Sequence, residues 1–207
     1  MSPLERELRD RLRKIYVDGW VYWKDPPDYM ERIERQVEVL RECVSRCLGC
    51  TATVQTTPGD INDYYDIECP LTSGFPESRA ELDYDQLEQE GPAEYFQLLL
   101  STVAPVVAGV WHRFFIRDGM RQHEMFDFLS EEWFAEHTEH KPMALEIIRK
   151  AEEQGLTVLG WDITLLPADK DWPLARLMPE DPDLRHYLFG GYYDDWGGIV
   201  KPVRDTF

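Results

Sequence analysis

The 207-residue sequence predicts an α+β fold, a mainly antiparallel sheet with an N-terminal helix pair and further helices packed on it. Three observations predict it. Helix-period runs come in pairs, strand-like runs come in hairpins, and no succession of β/α units appears.

The first expected helix covers residues 4–18, where Leu4, Leu8, Leu12 and Tyr16 recur one turn apart. Pro26 and Pro27 forbid helix in the following stretch. Asp28 is placed as the N-cap of a second helix over residues 28–48, with Glu31 three residues on as in a capping box. Ile33, Val37, Leu40, Val44 and Cys47 or Leu48 form its apolar stripe, and Gly49 is the expected stop. Residues 50–57 and 63–69 read as two strands joined by the turn "PGDIN". Residues 70–91 read as a loop-rich, acidic excursion.

From Pro92 the reading is a helix, with the proline in its first turn and Pro105 ending it near residue 104. "VWHRFFIR" and "QHEMFDFL" flank "DGM", and Asp-Gly between such runs signals a hairpin. Residues 130–140 read as a short helix capped by Ser130, and residues 141–155 as an amphipathic helix ending at Gly155. A strand over 156–166 follows, and then a turn-rich segment with clustered aromatics. No internal boundary stands out, so residues 1–207 are taken as one domain.

Composition excludes several functions. Net charge is −18 with no basic footprint, which argues against binding nucleic acid. No apolar run reaches the roughly 18–20 residues that span a bilayer, and the charged N-terminus lacks the apolar core of a signal peptide. With only four cysteines as well, the expectation is a cytoplasmic protein with reduced thiols. The charge is uneven. Residues 1–48 balance ten acids against ten bases, whereas residues 49–100 hold eleven acids and one base, Arg79.

Cys43, Cys47 and Cys50 stand at C-x3-C-x2-C spacing, with Cys69 as the fourth cysteine. In spacing alone this resembles the cluster motif of radical-SAM enzymes, in which three thiolates hold an iron–sulfur cluster. Here the motif closes a helix, and Gly49 stands where that family carries an aromatic residue. Zinc held by Cys43, Cys47, Cys50 and Cys69 is an alternative. Burial of Cys43 and Cys47 as small hydrophobes at the end of a core helix fits best, and no cofactor is expected.

His137 and His140, read as i, i+3 on one helical face with Glu132 a turn before, are the candidate ligands for a divalent metal. Asp60, Asp63, Asp66 and Glu68 form a second acidic group, without EF-hand spacing and without a nearby cation for phosphate. No nucleophile elbow, phosphate-binding loop or dinucleotide fingerprint is present, so no catalytic residue is assigned.

What remains is a combination of acids with Tyr and Trp, the residues that anchor protein interfaces. The candidate contacts are Asp63, Tyr64, Tyr65, Asp66, Asp83, Asp85, Tyr192, Tyr193, Asp194, Asp195 and Trp196. The profile suits an inhibitor that blocks a basic protein partner, such as a toxin domain, in the manner of bacterial immunity proteins. That likeness is one of composition, not of motif. The alternatives are a metal-dependent enzyme built on the His/Glu or Asp/Glu groups, and an inhibitor that imitates DNA.

Overall fold

The computed structural model describes residues 29–57, 64–102 and 105–161. Within them lie four helices and a six-stranded, mostly antiparallel sheet on which helices pack. The expected helix at 4–18, the Asp28 cap and everything from residue 162 fall outside the described residues.

Helix α1 spans Tyr29–Leu48, and its apolar stripe is Ile33, Val37, Leu40 and Val44, all buried. It stops as the sequence predicts. Gly49 takes φ 67°, and the Cys50 N–H donates back to the Ser45 carbonyl at 3.1 Å. That bond satisfies a carbonyl of the last turn, and the left-handed glycine makes the reversal possible. The chain then forms β1 (Thr53–Thr57) and β2 (Tyr64–Pro70), paired antiparallel with Thr53 opposite Glu68.

The excursion after β2 is more ordered than its composition suggests. It holds a 3-10 turn (Arg79–Glu81) and helix α2 (Tyr84–Glu90), whose N-cap Asp83 accepts from the Asp85 N–H. Leu82 and Leu87 fasten it to Ala93, Tyr95 and Phe114 on the sheet.

The helix expected after Pro92 is corrected by the structure: Ala93–Ser101 is strand β3. It runs in the sheet interior, between β2 and strand β4 (Val106–Arg117), and Tyr95–Ser101 are all buried. A strand covered on both faces loses its period-2 alternation, and a short apolar run then reads equally as a buried helix.

Strand β4 turns into β5 (Met120–Asp127) through Asp118 (φ 53°) and Gly119 (φ 71°). Positive φ at both turn residues gives the twist that a two-residue hairpin needs. Helix α3 (Glu131–Glu136) follows, with the Ser130 hydroxyl accepting from the Trp133 N–H at 3.2 Å. Helix α4 (His140–Glu153) packs beside α1 through Ala144, Ile147 and Ala151. It delivers the chain to β6 (Thr157–Gly160), shorter within the described residues than the strand expected over 156–166.

β6 runs parallel to β4 and pairs with Val106–Gly109, while β5 pairs with Val110–Arg117 on the same edge. Two strands laid end to end along one neighbour leave little room at their junction. A Cβ on Gly109 would lie 2.6 Å from Phe128 Cγ, and one on Gly160 would lie 2.5 Å from Asp127 Oδ2. Glycine is needed there for close approach.

The sheet has two unlike faces. Ile67, Cys69, Phe96, Leu98, Leu100 and Trp111 face the helices and share one core with α1, α3 and α4. The other face carries Asp66, Glu68, Gln97 and His112, with the excursion anchored at one end. No helix among the described residues is long and apolar enough to cross a membrane.

Candidate functional site

Residues 70–91 form a lobe built on the sheet, rooted by Leu71 N–H to Glu94 O (2.8 Å) and Glu94 N–H to the Thr72 hydroxyl (3.0 Å). Its carboxylates Glu77, Glu81, Asp83, Asp85, Glu88 and Glu90 are all exposed. None of these six pairs with a cation among the described residues. Arg79, the one base of this stretch, does not offset them, because it turns inward.

Arg79 enters a buried polar cluster. Its backbone N–H donates to Glu68 Oε1 at 2.7 Å. Its guanidinium lies 3.5 Å from Asp66 Oδ2 and 3.9 Å from Glu68 Oε1. Both acids are nearly inaccessible, Asp66 at 6% exposed and Glu68 at 3%. Burial pushes the Glu68 carboxyl up to about 7 against the pull of Arg79, and raises Asp66 as well. A carboxylate stripped of water prefers its neutral form unless a counter-charge compensates, and one guanidinium cannot fully compensate two acids.

A directed hydrogen-bond chain continues from Asp66. Gln97 Nε2 donates to Asp66 Oδ2 at 2.7 Å, so Gln97 Oε1 faces His112 Nε2 at 2.9 Å as an acceptor. This puts the His112 proton on Nε2 and leaves Nδ1 to accept from His123 Nε2 at 2.9 Å. The His112 imidazole is therefore neutral, and burial agrees, holding it well below its ordinary value; burial also lowers His123, to about 4. Arg79 beside the rings adds to the penalty on a second positive charge. Among the described residues, Asp66 Oδ1 has no hydrogen-bond partner. The cluster is closed to substrate, because Asp66, Glu68, Gln97 and His112 are all buried. It acts as a brace that ties the lobe to four strands.

On the other face, Arg113 gathers carboxylates: Glu136 at 2.7 Å, Glu94 at 2.9 Å and Glu124 at 3.7 Å. His137 Nε2 meets Glu94 at 3.0 Å, and its ring stacks on Trp133 at 3.8 Å. His137 is the C-cap of α3 and His140 begins α4, so the two do not share one helical face as the sequence spacing suggests. Their rings still stack on each other at 5.8 Å, and His140 stacks on Trp111 at the same distance. Glu132 lies on the exposed side of α3. Among the described residues no group of three His, Cys, Asp or Glu is placed to hold a metal ion.

The cysteines divide into two pairs. Cys43 and Cys47 are free, with their sulfurs 3.8 Å apart on α1, and burial pushes the Cys43 thiol up to about 11. A thiol so displaced is unreactive at neutral pH. Cys50 and Cys69 are joined in a disulfide across β2, where the sequence leads one to expect reduced thiols.

The structure disperses the expected contact residues. Asp83 and Asp85 are exposed on the lobe, where an interface could use them. Tyr64 (2% exposed) and Asp66 are buried and cannot meet a partner, and Tyr65 packs against the helix-side core. Asp63, Tyr192, Tyr193, Asp194, Asp195 and Trp196 lie outside the described residues. Sequence reasoning missed the brace of Gln97, His112 and His123, whose members are scattered over three strands. It had one usable signal, a lone arginine among eleven acids. No family model, curated protein or solved structure matches the chain.

Proposed function

We propose that the protein binds and blocks a basic protein partner, such as a toxin domain, through the exposed acidic lobe of residues 77–90. The observation that carries this reading is the inward turn of Arg79, which leaves six exposed carboxylates without a counter-ion among the described residues. The helical side of the molecule is arranged differently. There Glu38, Glu131, Glu146 and Glu153 are paired with Arg41, Lys141, Arg149 and Lys150. An uncompensated patch of one sign on an anchored scaffold attracts a partner of the other sign and speeds its approach. The half-exposed Tyr84, held at its hydroxyl by the Gly119 carbonyl, supplies an aromatic contact at the patch. Cytoplasmic placement, expected from the sequence, sits poorly with the Cys50–Cys69 bridge, because reducing compartments keep thiols free. The binding reading does not depend on it.

The test is affinity capture from the cells that make the protein, with the native chain beside a variant carrying Glu81→Lys, Asp83→Lys, Asp85→Lys and Glu88→Lys. The expected result is one stoichiometric basic protein, released by a salt step and held by the native chain alone. Added DNA competing for that protein would mark the DNA-imitating alternative. Equal capture by both chains would remove the lobe from the interface.

A further inference from the structure

The β4–β5 hairpin is a two-residue turn, with Arg117 opposite Met120. In such a hairpin the pair flanking the turn exchanges both backbone bonds, and bonded pairs then recur every second residue. Arg121, His123 and Met125 therefore direct their N–H and C=O groups away from β4. β5 has no strand on its other side among the described residues, and none of these three residues makes a backbone hydrogen bond outside the sheet there. Among the described residues, β5 thus presents a free strand edge.

That edge borders a cavity of about 470 Å³ between β5 and α3. Phe126 and Trp133 wall it, Glu124 comes from the strand, and Glu132 and Glu136 come from the helix. Among the described residues Arg113 is the one cation in the lining, and it is already engaged by Glu94, Glu136 and Glu124. The cavity is therefore aromatic-walled and net negative.

We propose that this groove receives an extended basic segment of a protein partner, added to β5 as a further strand with Lys or Arg side chains among Glu124, Glu132 and Glu136. Main-chain bonds to a sheet edge supply affinity, and side chains alternate so that every second one enters the adjoining pocket. A residue laid opposite Glu124 or Phe126 falls on the α3 side, where a cation meets carboxylates and ring faces together. A second copy of this chain fits the edge poorly, because its own β5 would bring Glu124 against the same carboxylates.

The inference shares with the lobe reading only the charge of the partner, and the experiment separates the two. The probe is a synthetic peptide about as long as β5, alternating Lys with Val or Thr, with a twin carrying Glu for Lys. It is added to the full chain and to the lobe variant above, and amide exchange is read residue by residue. The expected result is slowed exchange at Arg121, His123 and Met125 in both chains with the Lys peptide and with neither for the Glu twin. Glu124→Gln together with Glu132→Gln should weaken binding about tenfold or more. Glu132 is exposed and Glu124 half-buried, so the double variant is expected to fold, and Asp83→Asn with Asp85→Asn serves as a charge-matched control that should bind unchanged. Three outcomes overturn the proposal. They are no slowing at the three amides, slowing confined to residues 78–90, and slowing in the chain alone at high concentration, which would put a second copy on the edge.

Discussion

Replacing Arg79 with Met removes the guanidinium and keeps the aliphatic stem. Asp66 and Glu68 are then left at 6% and 3% exposure with no cation within reach among the described residues. Breaking a buried ion pair from one side costs about 3–5 kcal/mol, because the surviving charge stays desolvated. Here the charge can be neutralised, so the cost depends on pH. Glu68 already titrates near 7 in the folded chain against an ordinary value of 4.5. A raised carboxyl contributes stability that is fully present below the unfolded value and is lost as pH rises through the folded one. For the native chain that window runs from about 4.5 to about 7 and amounts to about 3 kcal/mol, at roughly 1.4 kcal/mol per pH unit. Without Arg79 the folded value rises further and the loss extends to higher pH. Urea unfolding at pH 5 and pH 8 reads the effect. The Arg79→Met penalty should be near 1 kcal/mol at the lower pH, where Glu68 is neutral, and about 3 kcal/mol or more at the higher. Adding Glu68→Gln should recover most of the loss at pH 8. A penalty that is equal at the two pH values would refute the reasoning, since it would mean that Arg79 acts by packing and not by charge.

Three further outcomes are expected. His123, lowered to about 4 by burial, contributes stability present above its ordinary 6.5 and lost as pH falls toward the folded value, so its ring resonances in NMR should stay those of a neutral imidazole down to about pH 5. Gly109→Ala forces a Cβ to within 2.6 Å of the Phe128 ring and should cost about 1–3 kcal/mol in thermal or urea unfolding. Reducing the Cys50–Cys69 bridge, or replacing both cysteines with Ser, releases a loop of sequence separation 19 and should cost about 3 kcal/mol, read as a lower unfolding midpoint in dithiothreitol.

Local chemistry was legible wherever it acted within a few residues. α1 and its glycine stop, the Asp-Gly hairpin, the Ser130 cap and the end of α4 at Gly155 all follow from periodicity, caps and turn residues, and the structure has them. The helix expected after Pro92 became β3 because burial on both faces erases the alternation that marks a strand. The exposed acids of the lobe could also be read from composition, since residues 70–91 hold six acids and one base and such a run has few other ways to be solvated.

By itself the sequence determined an α+β class, the stop of α1 at Gly49, the Asp-Gly hairpin and the Ser130 cap, the lack of a basic footprint and the acidic excursion with a lone arginine. Only the tertiary structure decided which way Arg79 faces, that Asp66 and Tyr64 are buried and not presented, and that His137 and His140 belong to different helices. It alone joined Gln97, His112 and His123 into one chain and, among the described residues, left the β5 edge open beside α3. The physical reason is the same in each case. Caps, turns and periodicity are interactions between near neighbours in the chain, whereas burial, strand register and charge pairing depend on residues brought together from distant segments.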